Sequence, residues 1–270
     1  GLSAIPKFRR YTINPRVFYY SKKTTADIGV SFITEDRIGG SMNYIKEGSA
    51  GFYEQNNTDR VTTQLGISHQ LNKKSAFHLK GSYSRFNRSL SIPAYRFDAL
   101  QQSSFFEISY NTESKGNNWV AGVNLLTDDL HEKQLTADPA RDYHYNTFGA
   151  FVQNTWTIGK ELTLEAGLRA DYLRQFGVEW LPRVSAMYRL SPKFTTRLGG
   201  GFGYKSPTIF TEDAERKYFR HILPVDERVT HNERSIGGNW DINYRTTIGN
   251  VSLTLNQLFF YTRLNRPLVM

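Results

Sequence analysis

Three features of the chain predict one fold class. Apolar and polar side chains alternate along most of its length, short turns alternate with long polar links, and aromatic residues gather near the ends of the alternating runs. Together they predict an all-β protein: an antiparallel up-and-down transmembrane β-barrel segment of about twelve strands, with one short helix in an external loop. Composition narrows the alternatives. The 270 residues are 39% hydrophobic with a mean hydropathy of −0.52. No run approaches the ~20 apolar residues of a membrane-crossing helix, and a barrel hides its apolar half in alternation. The absence of cysteine excludes thiol nucleophiles, disulfide frameworks and cysteine metal sites.

Strands are expected near 13–20, 24–36, 61–71, 75–86, 103–112, 117–127, 143–157, 161–175, 180–190, 193–205, 234–246 and 248–262. The clearest carries Leu162, Leu164, Ala166, Leu168, Ala170 and Tyr172 on one face. Thr163, Glu165, Gly167, Arg169 and Asp171 lie on the other, so one face is greasy and one is wet. Val184, Ala186, Tyr188 and Leu190 repeat the pattern, as do Ala26, Ile28, Val30 and Phe32. The runs at 75–86 and 103–112 are less regular, with Phe105 opposing Phe106. At ~11 residues each, many runs match a tilted membrane-crossing strand and exceed the ~5–6 residues usual in soluble sheets.

Tight turns are expected at Ser21-Lys22-Lys23, Asn72-Lys73-Lys74, 113–116, Ile158-Gly159-Lys160, Ser191-Pro192 and Thr247-Ile248-Gly249. Between them lie long polar links at about 37–60, 87–102, 128–142 and 206–233, with a shorter one near 176–179. Outer-membrane barrels keep this asymmetry, with short turns on the periplasmic side. Residues 206–222 read as the helix: Thr211 caps it, and Glu212, Asp213 and Glu215 occupy its first turn. Phe210, Ala214, Tyr218 and Ile222 share one of its faces, and Pro224 ends it. Tyr19, Tyr20, Phe105, Phe106, Trp119, Trp156, Trp180, Phe259 and Phe260 fall near strand ends, as interfacial girdles require.

Local motifs for catalysis are weak. The glycine run 199–203 precedes Lys205-Ser206, but Tyr204 stands where a phosphate loop needs glycine, so these glycines read as places of close packing in the wall. The six histidines form no metal-binding pair, and no serine elbow occurs. Neither a cofactor nor an enzymatic activity is expected. The net charge of +9 is spread over wet strand faces and turns, which argues against nucleic acid and for a cationic lumen or rim facing anionic solutes. The N-terminus carries no signal peptide and the C-terminus follows directly on a strand-like run, so the chain reads as part of a longer protein.

Several stretches resemble barrel strands of TonB-dependent outer-membrane receptors, with a Bacteroidetes flavour. They include Tyr11 to Tyr20, Glu35-Asp36-Arg37-Ile38-Gly39-Gly40, and Gly149 to Asn154 followed by Ala166-Gly167-Leu168-Arg169-Ala170-Asp171. Pro182-Arg183-Val184-Ser185, Gly201 to Thr208 and Glu233 to Asn239 complete the set. The resemblance implies a larger barrel around an N-terminal plug, importing a scarce chelate or nutrient through TonB. No plug precedes Gly1, so residues 1–270 are expected to be a partial barrel of such a receptor. The implied partners are outer-membrane lipid and lipopolysaccharide, the TonB complex through the missing plug, and a small chelate, in a bacterial outer membrane. Loop candidates for ligand contact are Arg37, Tyr95, Arg96, Arg216, Arg220 and His221. Two other readings compete: a passive porin or adhesin that closes on itself, and a soluble carbohydrate-binding β domain.

Overall fold

Where apolar and polar side chains alternate, the chain is strand, and successive strands pair antiparallel across tight turns. The computed structural model describes residues 2–3, 5–48, 50–133 and 139–268. Its strands are β1 (Lys7–Ile13), β2 (Arg16–Tyr20), β3 (Thr24–Gly40), β4 (Tyr53–Asn72), β5 (Ser75–Ile92), β6 (Tyr95–Ser114) and β7 (Asn117–Glu132). They continue as β8 (Tyr143–Ile158), β9 (Leu162–Leu173), β10 (Gly177–Ser191), β11 (Phe194–Lys205), β12 (Glu233–Ile248) and β13 (Val251–Asn265). All 13 form one sheet in chain order, except that β1 and β2 both pair with β3. These two are one edge strand interrupted at Asn14-Pro15. Pro15 has no N–H to give, although its carbonyl still accepts from Val30 N at 3.0 Å. The sheet therefore has twelve strand positions, the number expected from alternation. Among the described residues nothing pairs β13 with β1 or β2, so the sheet is open.

The turns at one rim are as tight as expected. At Lys115-Gly116 both residues have positive φ, 44° and 82°, as a two-residue hairpin whose twist matches its strands requires. The other rim differs from expectation. Most of the link 87–102 is strand: β5 and β6 meet in a turn at Pro93-Ala94. Strand also extends into 37–60 and 128–142, where β3 reaches Gly40, β4 starts at Tyr53 and β7 reaches Glu132; residues 134–138 lie outside the described set. A second short helix, α1 (Met42–Glu47), is capped by Ser41. The 206–222 helix shrinks to α2 (Glu212–Arg216), with Thr211 as its N-cap as expected. It stops because Tyr218, Phe219 and His221 take left-handed φ of 56°, 62° and 58°.

Cross-strand partners share a face, so the register sorts the side chains. One face carries Phe77, Ile108, Val123, Val152, Leu168, Val184 and Leu198, all exposed. Near the short turns it carries Phe77, Tyr110, Trp119, Trp156 and Tyr188, and further along Tyr83, Phe106, Phe148, Tyr172 and Trp180. On β8 and β10 these levels lie eight residues apart, Trp156 to Phe148 and Tyr188 to Trp180. That is ~26 Å along a strand, or about 20 Å along the membrane normal at a ~40° tilt, close to the apolar band of an outer-membrane barrel. Phe105 departs from the girdle pattern, sharing the polar face with Ser82 and Leu126.

Beyond the second aromatic level the hydrophobic parity inverts within continuous strands. Leu90, Ile92, Tyr95, Phe97, Ala99, Leu130, Tyr143 and Tyr145 stand on the face that is polar lower down. Their neighbours on the opposite face are Asn87, Ser89, Arg96, Asp129 and His144. The reason is what covers them: the link between β11 and β12 folds over the sheet and supplies Ile209, Ala214, Phe219 and Ile222 to the same core.

Candidate functional site

The polar face below this core is a lattice of charged side chains spaced by small ones. Arg16 pairs with Asp27 at 2.5 Å, Lys80 with Glu107 at 3.4 Å, Arg169 with Asp171 at 2.7 Å and Arg183 with Glu165 at 3.1 Å. Asp171 and Asn124 are buried, and a Cβ on Gly149 would come within 2.5 Å of an oxygen of each, so this knot needs a glycine. The glycine run behaves as the close-packing reading requires. A Cβ on Gly201 would lie 3.0 Å from Arg183 Cβ and 3.1 Å from Pro182 O. Several open cavities face this side, two of them toward β10–β12. One of about 820 Å³ near the short turns is lined by Lys160, Arg189, Lys193, Arg197, Asp241 and Arg245. The other, about 580 Å³, lies over Arg183, Arg197, Gly199, Gly201 and Asn239.

Above the lattice, the β11–β12 link is held by contacts to the wall and to the neighbouring links, centred on its own Phe219 and on Arg141 of the β7–β8 link. Phe219, fully buried, stacks on Phe97 with centroids 4.4 Å apart and meets Phe210 edge-on at 5.7 Å. Its carbonyl accepts from Tyr95 Oη at 3.0 Å and from Arg141 Nη1. Arg141 is 1% exposed and donates to both oxygens of Glu132, from Nε to Oε2 at 2.8 Å and from Nη2 to Oε1. Burial opposes its charge, but hydrogen bonds to Glu132 and Tyr95 outweigh that and hold the guanidinium above its ordinary pKa. Arg88 closes the link on another side, with Nη1 and Nη2 donating to Glu215 at 2.6 and 2.9 Å. Tyr145 Oη donates to Pro207 O at 3.0 Å. Phe52, in the β3–β4 link, meets Tyr218 with centroids 6.4 Å apart, so the β11–β12 link reaches back across the mouth of the sheet.

The six ligand candidates fall in different places. Arg37, Tyr95 and Arg96 lie on strands rather than in loops. Arg37 is on the polar face, 2.8 Å from Glu35, and cross-strand pairing joins its row through Asn56 and Leu90 to Phe97. Tyr95 is 7% exposed and built into the Phe219 knot. Arg96 stands on the opposite face, paired with Asp98 at 2.8 Å. Arg216 pairs with Glu212 one helical turn back, while Arg220 and His221 are exposed where the link turns. Sequence reasoning passed over Arg88, Arg141 and Phe219, and also Arg60, whose guanidinium lies 4.4 Å from the centre of the Phe86 ring. Their signal was faint, since an arginine on a strand or in a link looks like any solvated charge. Among the described residues no group of three or more His, Cys, Asp or Glu side chains could hold a metal ion.

An open antiparallel wall with one lipid-type face, a charged inner face and an inward-folded link defines a segment of an outer-membrane β-barrel. Residues 5–250 match the model of the TonB dependent receptor-like β-barrel family, and the chain belongs to that family. Iron-regulated outer membrane virulence proteins from two strains of Vibrio cholerae are 26% identical over 128 residues, 47% of this chain and 18% of theirs. Among solved structures, the siderophore receptor PirA from Pseudomonas aeruginosa superposes with a TM-score of 0.70 at 13% identity, over 95% of this chain and 46% of its own. The alcaligin outer-membrane receptor FauA from Bordetella pertussis gives 0.69 at 13%, over 95% and 44%. The ferric-catecholate import receptor Fiu from Escherichia coli gives 0.68 at 12%, over 96% and 52%. The chain thus spans about half the length of these solved relatives and less of the curated ones. Membership of this receptor-like β-barrel family places the chain in a bacterial outer membrane.

Proposed function

We propose that the chain is part of the wall of a TonB-dependent receptor of the Bacteroidetes type, importing a scarce nutrient as a ferric siderophore or similar chelate. In this reading residues 1–270 form a partial barrel, and a plug domain and further strands complete it. The plug carries the contact with the TonB complex, outer-membrane lipid and lipopolysaccharide cover the apolar face, and nucleic acid is not a partner. The observation that carries the reading is the inner surface, where charged and aromatic side chains line a face roofed by an inward-folded link. Its cationic members, Arg37, Arg60 and Arg88, suit an anionic chelate.

The test is uptake of radio-iron chelates by an iron-starved strain carrying the complete reading frame. Uptake of at least one chelate is expected, and it should vanish when TonB is deleted. Uptake that survives the deletion would instead favour a passive pore. A barrel closed by this chain alone has no support in the described sheet, whose outer edges are unpaired. A soluble carbohydrate-binding domain would leave the whole apolar face in water.

A further inference from the structure

The short turns share a chemistry that transport does not use. Lys22 and Lys23 occupy the β2–β3 turn, and Lys73 and Lys74 the β4–β5 turn. The next three turns carry one lysine each, at Lys115, Lys160 and Lys193, and only the β12–β13 turn has none. Seven of the chain's 13 lysines therefore lie on one rim, where the same turns hold one carboxylate, Glu161, with Glu113 beside them near the end of β6. All seven are exposed, and among the described residues none forms an ion pair. The lysines that do, Lys80 with Glu107 and Lys133 with Asp98, lie elsewhere. The opposite end is mixed in charge, with acidic doublets at Asp128-Asp129, Glu212-Asp213 and Asp226-Glu227.

A few residues into the wall from the lysines, the apolar face carries the first aromatic level. Phe77 and Tyr110 meet there with centroids 5.0 Å apart, and Trp119, Trp156 and Tyr188 continue it. Aromatic rings settle at the headgroup level of a bilayer, which puts the lysine ammonium groups at or just outside the phosphates. We propose that this rim is a docking surface for anionic phospholipid headgroups of the phosphatidylglycerol type in the leaflet on the short-turn side. A zwitterionic headgroup brings its own ammonium to compete with the lysines, whereas an anionic phosphodiester does not. Lipopolysaccharide is not the occupant, because short turns face the periplasm and lipopolysaccharide lies in the other leaflet. The proposal rests on the reading that the apolar face contacts lipid.

The test uses the protein of the complete reading frame with every tryptophan except Trp119 and Trp156 replaced by Phe, reconstituted in mixed phosphatidylcholine and phosphatidylglycerol bilayers. Trp119 and Trp156 remain, close to Lys115 and Lys160, and report quenching by brominated lipid of either class. A lysine near an anionic surface contributes about fivefold in partition, so brominated phosphatidylglycerol should be preferred by about fivefold or more. High salt should erase the preference. K73Q/K74Q/K115Q should lower it, K73R/K74R/K115R should keep it, and K46Q/K133Q/K217Q, with the same charge change at the far end, should also keep it. Equal quenching by both lipids, or equal loss in the two glutamine triples, overturns the proposal. Quenching by neither lipid overturns the lipid-contact reading beneath it instead.

Discussion

Replacing Arg141 with Met tests whether a buried charge, and not only apolar packing, holds the β11–β12 link to the wall. The substitution leaves Glu132, itself 7% exposed, without its counter-ion, and removes a donor from Phe219 O and from Tyr95 Oη. Breaking one side of a buried pair costs about 3–5 kcal/mol, which raises the equilibrium for local opening by roughly two to three and a half orders of magnitude. The loss should be confined to the link, because β9 to β11 make their ladders independently of it. Two readouts follow the opening. One is hydrogen exchange of the Phe219 and Arg220 amides, bonded to Ala214 O and Lys217 O. The other is tryptic cleavage after Arg216, Lys217 and Arg220. Arg141→Met with Glu132→Leu removes the stranded charge together with its partner. Apolar replacement of a whole buried pair is often neutral, so the double variant should recover most of the protection. If the single variant exchanges like the parent, or the double is as labile as the single, the ion pair is not what docks the link.

Three further outcomes are expected. Leu168→Arg should destabilise the chain in bilayers by about 2–4 kcal/mol, and Glu165→Gln on the opposite face by much less; equal denaturant shifts would remove the face assignment. Asn154 is 2% exposed between apolar-face neighbours, and among the described residues neither atom of its amide has a partner, so Asn154→Leu should stabilise by about 1–3 kcal/mol in chemical unfolding; a loss of stability would mean the amide is paired elsewhere. Burial and the Asp128 carboxylate push the Tyr143 phenol up, and burial with Glu227 does the same for Tyr145. The unfolded phenol ionises near ~10, so the native state holds more protons above that pH. Stability from the two tyrosines is full below about 10 and is lost as pH rises toward their native values; phenolate absorbance from both at about 10 in the folded protein would contradict this.

The sequence was most legible where the chain has one partner on each side. Leu162 through Tyr172 alternates because lipid-type surface lies on one face and charged lumen on the other, and the register bears out that sorting. At 87–102 the sequence predicts a long polar link, because the period-two rule fails there when taken in one phase. It fails there only in phase: Leu90, Ile92, Tyr95 and Phe97 still occupy one face, but the face that meets the link and not the one that meets lipid. A polar outer face beside an apolar inner one looks irregular when joined to a run of opposite phase. The fold of the link itself was half legible. Phe210, Ala214, Tyr218 and Ile222 do pack into or against one core, yet through three left-handed residues and not as one helix, because Phe219 must turn both its ring and its carbonyl inward. That requirement comes from Arg141 and Tyr95, far away in sequence, and no local propensity encodes it. The inversion carries a consequence for the membrane. An apolar outer face is needed only where hydrocarbon touches it, so the switch of phase between Phe106 and Ala99, and between Phe148 and Tyr145, marks where the bilayer ends and the roofed mouth begins.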